Sequence, residues 1–324
     1  MKTTVLSFLI DRRWVSGEDL GSALNISRSA VWKQIEELRR KGYKITSIPG
    51  VGYHLEKMPD CLYPEEVMLG LDTKYLGQEI VHFFEVGSTQ DEARRLAEKG
   101  AIEGVTVIAE TQLSGRGRVG RSWNSPSGSG IYISIILRPN LKPNEALQIP
   151  IVAGVAVACA ISEVVSVEPK IKWPNDIILG SKKVGGILAE MSAEIDKVNY
   201  IILGIGMNVN TTKESFPEEI KSIATSLSEE CNRKVERVQL VQQLLRELEA
   251  LYEEFKLVGF TPARKRWKKL NNTIGQRVKV GGTEAIVGNA IDIDKDGALI
   301  VKDDEGNRKR VVAGDVFLRT VEHG

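Results

Sequence analysis

Two cation-bearing stretches hold the chain's best prospects for chemistry. The first is Gly115-Arg116-Gly117-Arg118-Val119-Gly120-Arg121-Ser122-Trp123. Its glycines let the backbone approach a ligand, and its arginines offer bidentate contacts to phosphate or carboxylate. Trp123 beside three arginines suits a planar partner. The second is Lys172-Trp173-Pro174-Asn175-Asp176, with Lys183-Val184-Gly185-Gly186 following. Trp-Pro-Asn-Asp forces a turn after a strand and leaves an amide and a carboxylate at its tip. Lys183 then faces that tip across a hairpin, a set suited to an anionic ligand with a metal ion. The plainer alternatives are a solvated basic loop and a tight hairpin with surface charges. Gly204-Ile205-Gly206 leaves one face of a strand flat, for a flat ligand or for a bulge or close packing.

Other motifs are misleading. Gly115 to Gly120 matches the dinucleotide pattern G-x-G-x-x-G, but no helix follows it and position 140 is Asn140, not an acid. That excludes a Rossmann site. A kinase would need H-R-D and D-F-G, which are absent, and there is no Walker A sequence. Asp292-Ile293-Asp294-Lys295-Asp296-Gly297 imitates an EF-hand start, yet the twelfth position is Asp303 and strands flank it, so it reads as a β-turn. His54, His82 and His323 are scattered and support neither a catalytic zinc nor a histidine triad.

The elements that must position these residues alternate along the middle of the chain. Thr106–Thr111, Ile131–Leu137, Ile177–Leu179 and Val198–Leu203 read as strands. Asp91–Lys99, Ile151–Val165 and Val235–Phe255 read as helices, the last with apolar residues at three- and four-residue steps. From Thr273 the pattern changes to short strands (Arg277–Val280, Glu284–Ile293, Ala298–Lys302, Lys309–Val312, Val316–Leu318) with glycine-containing turns, a small β-barrel or sandwich.

The N-terminal segment is different. Ser16 with Asp19 opens a helix like a capping box, and Asn25-Ile26-Ser27 turns into a second helix, Arg28 to Lys41, closed by Gly42. Val31, Ile35 and Leu38 form its core stripe; Arg28, Ser29 and Lys33 lie away from it. A hairpin of Lys44–Ser47 and Gly52–Leu55 follows. Helix, turn, helix and hairpin is the order of a winged helix-turn-helix, with Arg28, Ser29, Trp32 and Lys33 available for bases. Residues 1–57 carry ten Lys and Arg against six acids, a local net charge of +4. That favours DNA over a purely structural helical domain. Two prolines between residues 59 and 64 mark a linker.

Composition sets the frame. A chain of 324 residues calls for two or three domains, and 42% hydrophobic with 27% charged residues is too apolar for disorder. With 44 basic and 43 acidic residues, global charge points to no partner. Cys61, Cys159 and Cys231 rule out a disulfide framework and suggest a reducing cytoplasm. The most apolar run, Ile149–Ile161, falls short of the roughly 18 residues a membrane span needs. No signal peptide is visible at the N-terminus.

Taken together, the chain resembles the bifunctional biotin protein ligase and biotin operon repressor family over essentially its whole length. The resemblance rests on Gly87-Ser88-Thr89, the 115–123 loop, Lys172 to Asp176, Lys183 to Ile187, and Gly204 to Asn208, with Gln90 where Asn is expected. It implies an α+β protein. Residues 1–58 would form a winged helix-turn-helix. Residues 63–270 would form a mixed α/β ligase domain like class II synthetases and lipoate ligases, and 271–324 a small SH3-like barrel.

The resemblance also implies chemistry. Biotin carboxylate attacks the α-phosphate of ATP, giving biotinyl-5′-AMP and pyrophosphate, and a lysine of a biotin carboxyl carrier domain then takes the biotin. Two anions must meet, so the site needs Arg116, Arg118, Arg121, Lys183 and Mg²⁺. Biotin would lie against Ser88, Thr89, Gln112, Arg116, Gly117, Arg118, Lys183, Gly204 and Gly206. Arg118, Arg121, Trp123, Asn175, Lys183 and Asn208 would hold the nucleotide. Lys183, Arg118 and Asp176 would serve catalysis, with Asp176 also the metal ligand. The adenylate would order the loop and favour a homodimer that presents two winged helices to a palindromic operator. Two rivals stay open: a ligand-sensing repressor without ligase activity, and a ligase whose winged helix is structural.

Overall fold

The computed structural model describes all residues except 1–3, 11–13, 282–284, 313, 315 and 319–324. His323 and the Glu284 start of a barrel strand therefore lie outside the described residues. The chain forms two compact units, Met1–Gly70 and Leu71–Gly324.

In the first unit, α1 (Val5–Leu9), α2 (Gly17–Leu24) and α3 (Arg28–Arg40) precede the hairpin of β1 (Lys44–Ile48) and β2 (Gly52–Lys57). Ser16 caps α2 by accepting from the Asp19 amide, and Ser27 caps α3 by accepting from Ala30. Asn25 ends α2 in the left-handed conformation, the setting Asn tolerates best after Gly. Val31, Ile35 and Leu38 pack with Leu20, Tyr43 and Leu55 into one core. The short α1, invisible to periodicity, adds Val5, Leu6 and Leu9 to it.

The proline-marked segment belongs to this unit as far as Gly70. It carries the short helix α4 (Pro64–Val67). Tyr63 stacks on Tyr43, the Tyr43 hydroxyl donates to Glu66 at 2.5 Å, and Lys41 pairs with Glu65 at 2.5 Å. Burial, with the Glu66 carboxylate beside it, pushes the Tyr43 phenol well above its ordinary pKa. The boundary thus falls six residues beyond Pro64.

The second unit is built on a seven-stranded sheet of β3 (Ile80–Val86), β4 (Thr106–Gln112), β5 (Gly130–Leu137), β6 (Lys170–Lys172), β7 (Asp176–Leu179), β8 (Lys182–Ala193) and β9 (Val198–Asn208), in the spatial order β3-β4-β5-β9-β8-β7-β6. Only β3 and β4 are parallel, joined through α5 (Thr89–Glu98); the other neighbours are antiparallel. Ala93 and Ala97 of α5 pack on Val107, Ile136 and Ile202 of one sheet face. The short α6 (Pro143–Ala146) leads into α7 (Ile149–Val165), which is buried nearly all round. Its Gly154 lies over Ile171 and Ile187, on the opposite face. The stretch Pro143–Val165 is long and apolar enough to cross a membrane, but 72% of its most apolar window is buried within the protein.

After α8 (Leu227–Cys231) comes α9 (Arg237–Val258), which packs beside α7, and then α10 (Thr261–Leu270). The five strands β10 (Arg277–Val280), β11 (Ile286–Ile293), β12 (Leu299–Lys302), β13 (Arg308–Val311) and β14 (Val316–Leu318) form the antiparallel C-terminal sheet, ordered β13-β12-β11-β10-β14. This sheet is bolted to the larger one through Trp173. Its amide donates to Thr273 Oγ1 and its indole Nε1 to the Gly297 carbonyl, both at 2.9 Å.

Candidate active site

Strand register decides which residues meet. Asp176 pairs with Gly186, Gly186 with Gly206, and Gly206 with Tyr132, so these four lie in a row on the α5 side of the sheet. One row along, Leu188, Gly204 and Ser134 pair in the same way. The result is a half-open cleft on this side of the sheet. Ser88, Thr89, Gln112, Arg116, Gly117, Arg118, Arg121, Trp123, Asn175, Asp176, Lys183, Gly204 and Gly206 all line it. Asn208 does not: it is buried and donates from Nδ2 to the Thr225 carbonyl at 3.0 Å, tying the end of β9 to the following loop.

The cationic end is organised by side-chain pairs. Lys183 Nζ lies 2.5 Å from Asp176 Oδ1 and 5.4 Å from the centre of the Trp123 ring. Arg118 Nη1 donates to Asn175 Oδ1 at 3.2 Å and to the Gly314 carbonyl at 3.4 Å, so a residue of the barrel region helps place it. Asn175 is fixed in turn, donating from Nδ2 to the Ile187 carbonyl at 2.6 Å. The peptide bond between Trp173 and Pro174 is cis. Arg116 reaches toward α5, pairing with Asp91 at 2.6 Å and Glu190 at 3.5 Å.

The glycine-rich loop is a folded turn rather than an open ribbon. Gly117 donates its amide to the Arg121 carbonyl at 2.7 Å, Arg121 to that of Arg118 at 3.2 Å, and Trp123 to that of Gly115 at 2.8 Å. Val119 at its tip is 78% exposed with φ +54°, an uncommon setting for a β-branched residue. The segment beyond Trp123 is anchored. Thr111 Oγ1 donates to the Ser125 carbonyl, the Gly128 amide to that of Glu110, and Tyr132 Oη to that of Pro126. At its far root the buried guanidinium of Arg237 donates to Glu110 at 2.9 Å and to the Gly130 carbonyl at 3.0 Å.

The glycines of β8 and β9 make room for protein side chains. A Cβ on Gly206 would come within 2.7 Å of the Trp123 indole, and one on Gly204 within 2.6 Å of Gln90 Oε1. Trp123 therefore lies on a bare stretch of sheet, with its Nε1 buried and lacking a hydrogen-bond partner. The opposite end of the cleft is polar. Thr89 donates its amide to Gln112 Oε1 at 2.9 Å, and Gln112 Nε2 donates to Ser125 Oγ at 3.0 Å.

Sequence reasoning did not pick out Tyr132, Ser134 or Leu188, which also line the cleft, and it named Gln90 and Ile187 without giving them a role there. A signal existed for Ser134: it is a lone polar residue inside the apolar run Ile131–Leu137. A second cleft lies between α7 and the C-terminal sheet; it shares Arg118, Asn175, Ile187 and Leu188 with the first and is otherwise walled mainly by apolar residues.

Two further expectations can be placed. The acids of the 292–297 turn are occupied by protein groups: Asp294 accepts from the Asp296 and Ala298 amides, and Arg310 bridges Asp294 and Asp296. Burial opposes ionisation of Asp294, but the Arg310 guanidinium and those amides hold its carboxyl below the usual range. In the first unit, Arg28, Ser29, Trp32 and Lys33 are exposed on the N-terminal half of α3, with Trp32 54% exposed.

Comparison with known proteins gives the following. Residues 86–208 match the biotin/lipoate A/B protein ligase family, residues 2–54 an HTH domain, and residues 273–319 the biotin protein ligase C terminal domain. The bifunctional ligase/repressor BirA of Bacillus subtilis is 39% identical, covering 98% of this chain and all of that protein. Its Escherichia coli counterpart is 32% identical over 98% of this chain and 97% of that protein. Among solved structures, a biotin protein ligase from Aquifex aeolicus in complex with biotin and ATP matches with a TM-score of 0.65 and 32% identity, over 75% of this chain and 99% of that one.

Proposed function

The chain belongs to the family of bifunctional biotin ligase/repressors, and on that footing we propose that it activates biotin with ATP, transfers it to a protein lysine and represses transcription in response. The observation that carries the catalytic half is one cleft with Lys183, Arg118 and Arg121 at one end and the Thr89–Gln112 pair at the other. A biotin carboxylate oxygen attacks the α-phosphorus of ATP, the bond to the bridging oxygen breaks, and pyrophosphate leaves. The lysine amine of a carrier domain then attacks the acyl carbon, AMP departs and the amine loses a proton. No enzyme nucleophile is required.

Roles follow from placement. Thr89, Gln112, Ser88, Gly117 and Arg116 hold the ring end of biotin, with Gly204 and Gly206 on the same stretch of wall. Arg118, Arg121 and Lys183 gather the carboxylate and the phosphates, where fixed cations act most strongly as charge redistributes. Trp123 offers the outer face of its indole to the ligand. Lys183 is neutralised by Asp176 at 2.5 Å. An arriving phosphate competes for the ammonium, and the Asp176 carboxylate then becomes available to the incoming lysine amine. Asp176 is the one carboxylate lining the cleft among the described residues, which fits Mg²⁺ held by a single carboxylate plus nucleotide phosphates. There the ion would offset phosphate charge. Asn175 orients Arg118, and Asn208 supports the nucleotide end from behind.

The regulatory half rests on the α3 face. Arg28, Ser29, Trp32 and Lys33 read operator DNA of biotin genes, and a homodimer favoured by the adenylate brings two such faces to a palindrome. The setting is the cytoplasm, consistent with three cysteines that form no disulfide. Two measurements test the proposal. Pyrophosphate should be released only when biotin and ATP are both present. A fragment upstream of a biotin-synthesis operon should shift in a gel with biotin plus ATP and not without; release in the absence of biotin, or a shift indifferent to both ligands, contradicts it.

A further inference from the structure

Strands β8 and β9 separate just short of Lys183. Their pairing ends at Gly185 and Met207. On the other side of β8, Ile177 pairs with Gly185 and Ile178 with Lys183, so Val184 is an extra residue and Lys183 stands at a β-bulge. A bulge beside a site re-aims a side chain and disrupts the ladder that would hold it. The Lys183 stem folds back along its own strand: its Cε lies 3.2 Å from where a Cβ on Gly186 would be.

The edge that β9 leaves bare is filled by a loop. The Lys183 amide donates to the Ile223 carbonyl at 2.8 Å, and the Thr225 amide donates to the Lys183 carbonyl at 2.9 Å. These two bonds make an isolated parallel bridge centred on Ala224, outside any strand. Asn208, the last residue of β9, secures it. Asn208 is 4% exposed, and its Nδ2 donates to the Thr225 carbonyl at 3.0 Å. A flipped amide would set two acceptor oxygens against each other, so the orientation is fixed. Thr225 Oγ1 donates to Glu230 at 2.7 Å and Ser226 caps α8, which tie the segment to that helix. Asn208 ties it to the sheet that carries Lys183.

We propose that Asn208 is a positioning residue for adenylate formation: through the Thr225 carbonyl it keeps residues 223–225 on the edge of β8, and so holds the bulged Lys183 with its ammonium turned into the cleft. The proposal rests on the reading that Lys183 offsets charge as the biotin carboxylate meets ATP. For this role Asn208 needs no contact with either substrate. Without its donated proton the Thr225 carbonyl loses a partner, the bridge loosens and the Lys183 ammonium is no longer aimed. A misplacement of about 1 Å, even from a change far from the chemistry, costs up to about a hundredfold in rate.

The test is a double-mutant cycle on the full-length protein. Biotin-dependent pyrophosphate release is followed with radiolabelled ATP, so that slow variants stay measurable. Asn208→Ala in the wild type should lower kcat by about ten- to a hundredfold. The KM for ATP and the Kd for biotin should stay within about threefold, since uniform binding is not what is lost. In the Lys183→Ala background the same substitution should cost no more than about twofold, because no ammonium is left to aim. Asn208→Leu, closer to Asn in volume, repeats the cycle without opening a cavity, and melting curves show that each variant is folded. Equal losses in both backgrounds, a raised KM for ATP at unchanged kcat, or no loss at all overturns the proposal while the ligase reading stands. If Lys183→Ala itself releases pyrophosphate at the wild-type rate, the role of Lys183 fails and the proposal falls with it.

Discussion

The ligand cleft and the exposed face of α3 are both cationic surfaces, but they are assembled in opposite ways. The cleft takes side chains from β4, β5, β7, β8, β9, the α5 N-terminus and the 115–123 turn, and holds them by hydrogen bonds to one another. The α3 face takes Arg28, Ser29, Trp32 and Lys33 from a single helix, and their placement needs only helical geometry and the buried stripe behind them. A site assembled from distant strands concentrates effect in a few residues whose neighbours cannot compensate. A surface along one helix spreads its effect over several weak contacts, dominated by phosphates and sensitive to salt.

That contrast predicts a graded series. The largest effect belongs to Lys183→Ala, which should lower the rate of biotin-dependent pyrophosphate release by about 10²–10³-fold while leaving biotin binding largely intact. Near wild-type release would remove Lys183 from its role and weaken the idea that the cleft concentrates its energetics.

Next comes Gly206→Val. Its Cβ would meet the Trp123 indole at 2.7 Å, so the ring must leave its seat. Overpacking of this kind costs about 1–3 kcal/mol. Nucleotide affinity should fall by roughly tenfold or more and tryptophan fluorescence should change; unaltered values in a folded variant would show that the indole seat does not matter.

By the resemblance, the adenylate would order the glycine-rich loop. Hydrogen bonds tie down the part beyond Trp123, so protection should divide within the loop. Trypsin should cut after Arg118 or Arg121 in the unliganded protein and be blocked when biotin and ATP are present. Equal cleavage in both states would count against ligand-induced closure.

The smallest expected change is Arg28→Ala. One lost contact on the α3 face should weaken operator binding by a few-fold to about a hundredfold at fixed salt, with ligation untouched. Lost ligation with unchanged DNA binding would reverse the assignment of Arg28 and erase the contrast between the two surfaces.

Much of the fold was legible where a local rule operates. The Ser16 cap, the α3 stripe and the C-terminal strands announce themselves through side chains acting on their own neighbourhood. The misses have physical causes. The five-residue α1 is too short to show a period. Only Ala263 and Trp267 of α10 are buried, so its stripe is faint beneath a coat of Lys and Arg. β8 is broken by Gly185 and Gly186 and carries lysines at its start, which hides a strand whose register is set by β7 and β9. The linker prolines marked a real change in the chain, but Tyr43, Tyr63 and Glu66 move the boundary to Gly70 by packing that no local pattern announces.

The same division runs through the site. The sequence by itself determined which chemistries were within reach: arginines on a glycine turn, a carboxylate and amide at a hairpin tip, a lysine before paired glycines, no nucleophile with a base. Those depend on residue type and short spacing. Only the tertiary structure decided that the bare strand at Gly206 seats Trp123, that Gly204 admits Gln90, and that Arg118 is steadied from the barrel region. These pairings depend on cross-strand register. Gln90 and Ile202 stand 112 residues apart, and a shift of one residue in any strand between them would turn the whole row to the other face of the sheet.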